Sequence, residues 1–166
     1  MNIETKIWYD LVHTKHGDEY LILYLARQRS YRKWFKIITI VFSASGIFST
    51  FQSAQIPTII SFVVIGIIQL MTSIENFIIH SEDDLDNISK LRMLYYDKLN
   101  DLEKLWHLLK TKKISVGDAT EQFFELRKSS KEAEELDNKI NVRTYKKLKN
   151  KSKIITNNYL KNYYYE

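Results

Sequence analysis

The groups best suited to chemistry in this 166-residue chain are its four histidines, and only two of them fall close together. His13 and His16 are three residues apart and are followed by Asp18 and Glu19, a spacing at which a helix turn can offer nitrogen and oxygen to a divalent metal. Gly17 interrupts that turn and no third ligand recurs nearby, so the pattern predicts no metal site. His80 and His107 have no carboxylate or nucleophile at catalytic spacing, and no glycine-rich phosphate loop is present. The absence of cysteine excludes a thiol nucleophile, a zinc finger and a disulfide, in agreement with a reducing compartment. The expectation is a protein that is not an enzyme and carries no cofactor.

A second set of polar residues stands out by its surroundings. From Ile37 to Ile74 there is no Lys, Arg, Asp or Glu, and a run of roughly 38 uncharged residues far exceeds the ~20 that cross a bilayer core. Hydrophobicity falls over 49–55, just ahead of Pro57, so two spans fit better than one: Ile37 to about Ala54, and Pro57 to about Ile74 with an extension toward Ile79. Each is about 18 residues, or about 27 Å of helix. A buried hairpin of a water-soluble protein is disfavoured, because soluble helices of that length show a charged face. Along the first span Thr39, Ser43, Gly46, Thr50 and Ser53 recur every three or four residues, and Ser61, Ile65, Gln69, Thr72 and Asn76 nearly do so along the second. The candidate pore or span contacts are Ser43, Gly46, Thr50, Ser61, Gln69, Thr72, Glu75 and Asn76, with Glu75 near the inner boundary. Two readings stand side by side: small residues and hydroxyls at a helix–helix contact, or the wetted wall of a pore built from several hairpins.

The flanks set the orientation. Arg27, Arg29, Arg32, Lys33, Trp34 and Lys36 crowd the entry to the first span as a membrane anchor, bases staying on the cytoplasmic side and aromatic rings at the headgroups. With two spans both termini are cytoplasmic, and the long stretch before the apolar run argues against a secretory signal. Upstream, Ile3, Ile7 and Leu11 are four apart, and Gly17 with Asp18 predicts a stop and restart before a helix that opens on acids and closes on bases. The division is 1–36 as N-terminal juxtamembrane helices, 37–79 as the transmembrane hairpin, 80–140 as a cytoplasmic helical hairpin and 141–166 as a basic, aromatic tail.

No glycine or proline lies between Gly66 and Gly117, so unbroken helix out of the second span is expected, although Glu82, Asp83, Asp84 and Asp86 suit a new helix N-terminus after a kink at Ser81, a carboxylate ring below a pore or, as is commonest for such a run, a solvated helix face. Leu85, Ile88, Arg92, Tyr95, Leu99, Leu102, Trp106 and Leu109 alternate at three and four, a coiled-coil seam with Arg92 as its lapse. After a turn within 110–117, Ala119, Phe123, Leu126, Ser130, Ala133, Asp137 and Ile140 follow the same rhythm, predicting two antiparallel helices of about 30 residues. Their apolar rings exceed what one contact covers, so Tyr95, Leu99, Leu102, Trp106, Phe123 and Leu126 are the candidate seam of a homo-oligomer. Beyond Ile140, Lys146, Lys147, Lys149, Lys151 and Lys153 precede YLKNYYYE. That run is either a partly frayed, solvated end or a segment that suits an anionic lipid surface or a neighbour's acids better than nucleic acid, which is not expected as a partner.

The basic aromatic helix LYLARQRSYRKWFK, the uncharged two-span hairpin, and a turn and helix reading KKISVGDATEQFFELRKSSKEAEEL together resemble the SLATT family, the SMODS and SLOG-associating two-transmembrane effector domains, over about Tyr20 to Ile140. The resemblance implies a pore-forming or membrane-disrupting effector of a bacterial antiviral or conflict system, acting with a nucleotide-signalling or sensor protein encoded nearby. It transfers no catalytic residue. The expected fold is thus an all-α membrane protein in the bacterial inner membrane, a two-helix transmembrane hairpin with a long cytoplasmic antiparallel hairpin, whose partners are the lipid bilayer and copies of itself. The alternatives are a non-enzymatic scaffold that recruits a cytoplasmic partner through its helical hairpin, and a holin-like lysis protein.

Overall fold

The computed structural model describes residues 2–49, 63, 65–73, 79–140 and 142–164, with the backbone alone over 42–49. Regular structure among them is entirely helical, as expected: α1 (Ile3–Ser49), α2 (Glu82–Lys110), α3 (Val116–Ser129), α4 (Lys131–Lys139) and α5 (Lys146–Tyr164), with a further helical stretch over 65–73.

Local chemistry accounts for the ends. Asn2 caps α1, its Oδ1 accepting the Thr5 backbone N–H at 2.8 Å. The restart expected at Gly17 and Asp18 does not occur, because α1 runs through both. Gly17 serves contact instead: a Cβ there would sit 2.8 Å from Tyr95 Cδ1 and closer still to Cε1. The unbroken continuation into α2 is also corrected, since 79–81 are not helical and α2 opens at Glu82 on the acid run, whose charges favour a helix N-terminus. At the far end of α2 the Lys113 N–H donates to Leu108 O (2.9 Å) and the Lys112 N–H to Leu109 O (3.1 Å), a Schellman closure in which Lys112 takes φ 53°. Ser115 caps α3 in a reciprocal capping box with Asp118. The returning helix then breaks at Ser130, dividing the expected 30 residues into α3 and α4.

The chain forms two compact units: Met1–Leu25 with Asp84–Glu166, and Ala26–Asp83. In the first, ion pairs Glu4–Lys110, Asp10–Lys98 (3.2 Å) and Asp18–Arg92 (3.0 Å) climb α1 while descending α2, so the two helices are antiparallel. Tyr20 contacts the residues that lead into α5, donating to Arg143 O (2.7 Å) and accepting from the Tyr145 N–H (3.0 Å), while Trp8 meets Tyr164 edge-on at the end of α5 (5.3 Å between ring centroids). Helix α5 is therefore also antiparallel to α1. Phe123 packs with Leu99, Leu102 and Leu105, whereas Ile140 and Leu136 pack with Leu85, Ile88 and Leu91, which runs α3–α4 back along α2. The result is a helical bundle with two apolar clusters. One gathers Ile7, Leu11, Leu99, Leu102, Leu105, Ala119, Phe123 and Leu160; the other gathers Leu21, Tyr24, Leu25, Leu85, Ile88, Leu91 and Ile140. Each fully buried aliphatic or aromatic side chain there contributes about 1.5–3 kcal/mol of transfer free energy.

In the second unit Gln28 is buried and accepts the His80 backbone N–H at 3.5 Å, and Arg32 pairs with Glu82, so the chain returns beside α1 at 79–82. Among the described residues no helix is long and apolar enough to cross a membrane. Both expected spans extend beyond those residues, the first past Ser49 and the second on either side of 63–73.

Candidate functional site

Two regions carry the residues of functional interest, and each lies within one unit. In the first, the described part of 37–79 turns apolar side chains outward: Ile37, Ile40, Val41, Val63, Ile65, Ile67 and Leu70 are all exposed. An exposed apolar patch of this kind marks a surface that meets something other than bulk water. Gln69 and Thr72 are exposed on the same helical stretch; Thr72 Oγ1 donates to Ile68 O and Ser73 Oγ to Gln69 O, both at 2.9 Å, which removes hydroxyl donors from the surroundings. Ser43 and Gly46 belong to α1, where only the backbone is described, and Thr50, Ser61, Glu75 and Asn76 lie outside the described residues. Of the residues expected to anchor the first span, Arg29, Lys33, Trp34 and Lys36 are exposed, Arg27 Nε donates to Tyr31 OH at 2.9 Å, and Arg32 is committed to Glu82.

The second region is a cleft of about 900 Å³ in the bundle, lined from α1, α2, α3, α4 and α5. It contains His13 and His16, but the carboxylates that follow them in sequence are held elsewhere. Asp18 pairs with Arg92, and Lys15 reaches Glu19 at 2.8 Å. His16 Nε2 lies 3.4 Å from Lys149 O. Burial pushes the His16 imidazole below its ordinary value, the Lys149 carbonyl opposes this, and Lys153, His13 and Lys149 add to the depression. Across the cleft, Tyr95 is raised by burial and then by Asp137, Asp10 and Glu134. Among the described residues no group of three or more histidine and acid side chains gathers closely enough to hold a metal ion.

The six seam residues have partners inside the chain. Leu99, Leu102 and Phe123 are buried in the first cluster with Trp106 and Leu126 against it, and Tyr95 packs on the second cluster and on Gly17. Trp106 meets Trp8 at 5.0 Å between ring centroids. Sequence reasoning missed the partners rather than the seam: Ile7 and Leu11 of α1 and Leu160 of α5 complete this core. Spacing in the tail held the signal, since Tyr145, Leu148, Ser152, Thr156 and Leu160 recur at three and four, but two of its buried positions are hydroxyl residues. No family model, curated protein or solved structure matches the chain.

Proposed function

We propose that this chain is a non-enzymatic membrane effector of a bacterial antiphage or conflict system. Segment 37–79 sits in the inner membrane as a two-span hairpin, both termini and the helical bundle are cytoplasmic, and assembled copies permeabilise the bilayer on activation by a sensor or nucleotide-signalling partner. One observation carries the membrane part: the uncharged run keeps Ile40, Val41, Ile65 and Leu70 exposed, just beyond the exposed cations and Trp34 of the anchor. The defence role rests on the resemblance to the SLATT family. Reporter fusions at Met1 and Glu166 are expected to read cytoplasm and a tag within 51–55 to read the outside, with expression under phage challenge collapsing the membrane potential. A cytoplasmic tag in the loop rejects the two-span topology, and an intact potential rejects the effector role.

A scaffold is the second reading, and the placement of Leu99, Leu102 and Phe123 favours it, since these side chains are engaged within one chain. A scaffold leaves the potential unchanged in every condition.

A further inference from the structure

Helix α5 divides its residues by chemistry around its circumference. Tyr145, just ahead of it, and Leu148 pack on the second cluster, and Ser152, Thr156 and Leu160 are buried. Lys147, Lys151, Ile154, Asn158 and Lys161, spaced by four, three, four and three residues, fall on the opposite side and are all exposed. The basic run is thus an ordered helix with a defined outer stripe. All six lysines of α5 are exposed, and none forms an ion pair among the described residues. No Asp or Glu occurs between Asp137 and Glu166. Elsewhere the bundle mixes its signs. Glu132 takes Lys90 at 2.9 Å and Glu135 takes Lys131 at 3.4 Å, and the cleft sets Lys6, Lys98 and Arg127 among Asp10, Glu134 and Asp137. Lys147, Lys151 and Lys161 are not part of that cleft lining. Water satisfies each of these lysines singly; what the stripe adds is a field of one sign, which an extended anionic surface exploits.

We infer that the outer stripe of α5 docks on anionic lipid headgroups, an inference that rests on the membrane reading for the nearness of a bilayer. Three features select lipid. The cations are lysines, compact point charges that suit a fluid layer of headgroups, and α5 has no arginine for the planar, bidentate phosphate recognition that nucleic-acid surfaces favour. Ile154 stands 60% exposed in the middle of the stripe. An apolar side chain there gains by entering the boundary between headgroups and acyl chains, and gains nothing from a phosphate backbone. A second copy of the chain offers acids that its own lysines already hold, Glu132 and Glu135 among them, whereas the cytoplasmic leaflet is anionic throughout.

The chain has no cysteine, so Asn158→Cys places a single fluorophore on the stripe with Ile154 kept. The full labelled chain is combined with vesicles of phosphatidylcholine, or of phosphatidylcholine with about a third phosphatidylglycerol, each carrying a headgroup quencher. Quenching is expected in the anionic vesicles and not in the neutral ones, with reversal in roughly 1 M salt, where the screening length falls to about 3 Å. Lys147→Gln, Lys151→Gln and Lys161→Gln together should lower the ratio of docked to undocked chain about a hundredfold, at about fivefold per lysine. Lys104→Gln, Lys112→Gln and Lys113→Gln, which remove the same charge from exposed positions off the stripe, should leave it unchanged. Flotation of the same samples keeps the two readings apart. A chain that floats with both kinds of vesicle through high salt is held by more than charge, as the spans require; one that floats with anionic vesicles alone and is released by salt loses the spans and keeps the docking. The inference is overturned if neutral vesicles quench the label equally, or if the stripe variant is quenched like the parent. It is also overturned if anionic vesicles leave the label unquenched, whether or not duplex RNA or a second copy shields it instead.

Discussion

Arg92 Nε lies 3.0 Å from Asp18 Oδ1, and this contact turns the one lapse in the α2 seam into a tie between α2 and α1. Asp18 is only 2% exposed, whereas about a third of the Arg92 side chain meets solvent. Burial raises the Asp18 carboxyl above its ordinary value, and the hydrogen bond and charge of Arg92 pull it partly back. The folded state therefore holds this proton to higher pH than the unfolded chain. The stabilisation linked to it is complete below 3.8 and is lost as pH rises through the folded value.

Removing Arg92 leaves that carboxylate buried with Lys15 at 3.9 Å as its remaining cation. Arg92→Ala should cost about 2–3 kcal/mol at neutral pH, below the ~3–5 of a fully buried pair because the arginine is partly solvated. Thermal unfolding followed by circular dichroism should show a smaller loss near pH 3.5, where Asp18 is protonated. A loss that does not change with pH rejects the pairing as its cause.

Gly17 and Tyr95 form a second tie. In an exposed helix interior Gly→Ala stabilises by about 1 kcal/mol, but here the new methyl meets the Tyr95 ring, so Gly17→Ala should destabilise by about 1–2 kcal/mol. In a Tyr95→Ala background the same change should become stabilising. That reversal of sign in a double-mutant cycle is the measurement.

Lys112 occupies the left-handed position of the Schellman closure, where a Cβ costs roughly 1–2 kcal/mol. Lys112→Gly should raise stability by about 1 kcal/mol, read as a higher unfolding midpoint with an unchanged denaturant slope.

Leu102 is fully buried in the first cluster. Placing an ammonium there by Leu102→Lys should cost at least about 4 kcal/mol and loosen the bundle itself. Proteolysis and loss of helical signal should accompany any change in oligomer mass. A well-folded variant that only dissociates would return Leu102 to an interface between copies.

Gln69 tests the polar stripe of the proposed span. Gln69→Leu should leave membrane insertion intact and weaken depolarisation, whereas a variant that depolarises cells as fully as the parent removes the stripe from the mechanism.

Helix content was legible from the scarcity of glycine and proline, and the α2 seam from its three-four rhythm, because both depend on local periodicity. The capping box of Ser115 and Asp118 is likewise a local, three-residue relationship. What could not be read was which surfaces meet. Gly17 looked like a helix stop, because the ring that fills its missing side chain lies far away in sequence, on α2. After the break at Ser130 the inward position is Leu136 rather than Asp137, so a rhythm counted through the break gives the wrong residue. In sequence α5 reads as a basic run, because Ser152 and Thr156 occupy buried positions where an aliphatic side chain would declare a core face. Spacing pairs His13 with His16, while Lys149 and Lys153 beside His16 come from α5 and are invisible to spacing.

The bundle is assembled from two stretches of chain that flank residues 26–83, and synthesis gives this arrangement a timetable. Residues 3–25 leave the ribosome first, yet Leu99, Leu102 and Leu160, which cover Ile7 and Leu11, follow much later. At ~5–20 residues per second, the intervening segment alone imposes a wait of about 3–12 s. During that interval the apolar face of early α1 is uncovered, while the uncharged segment is already emerging behind it. Closure of the bundle therefore waits until residues 26–83 have been made.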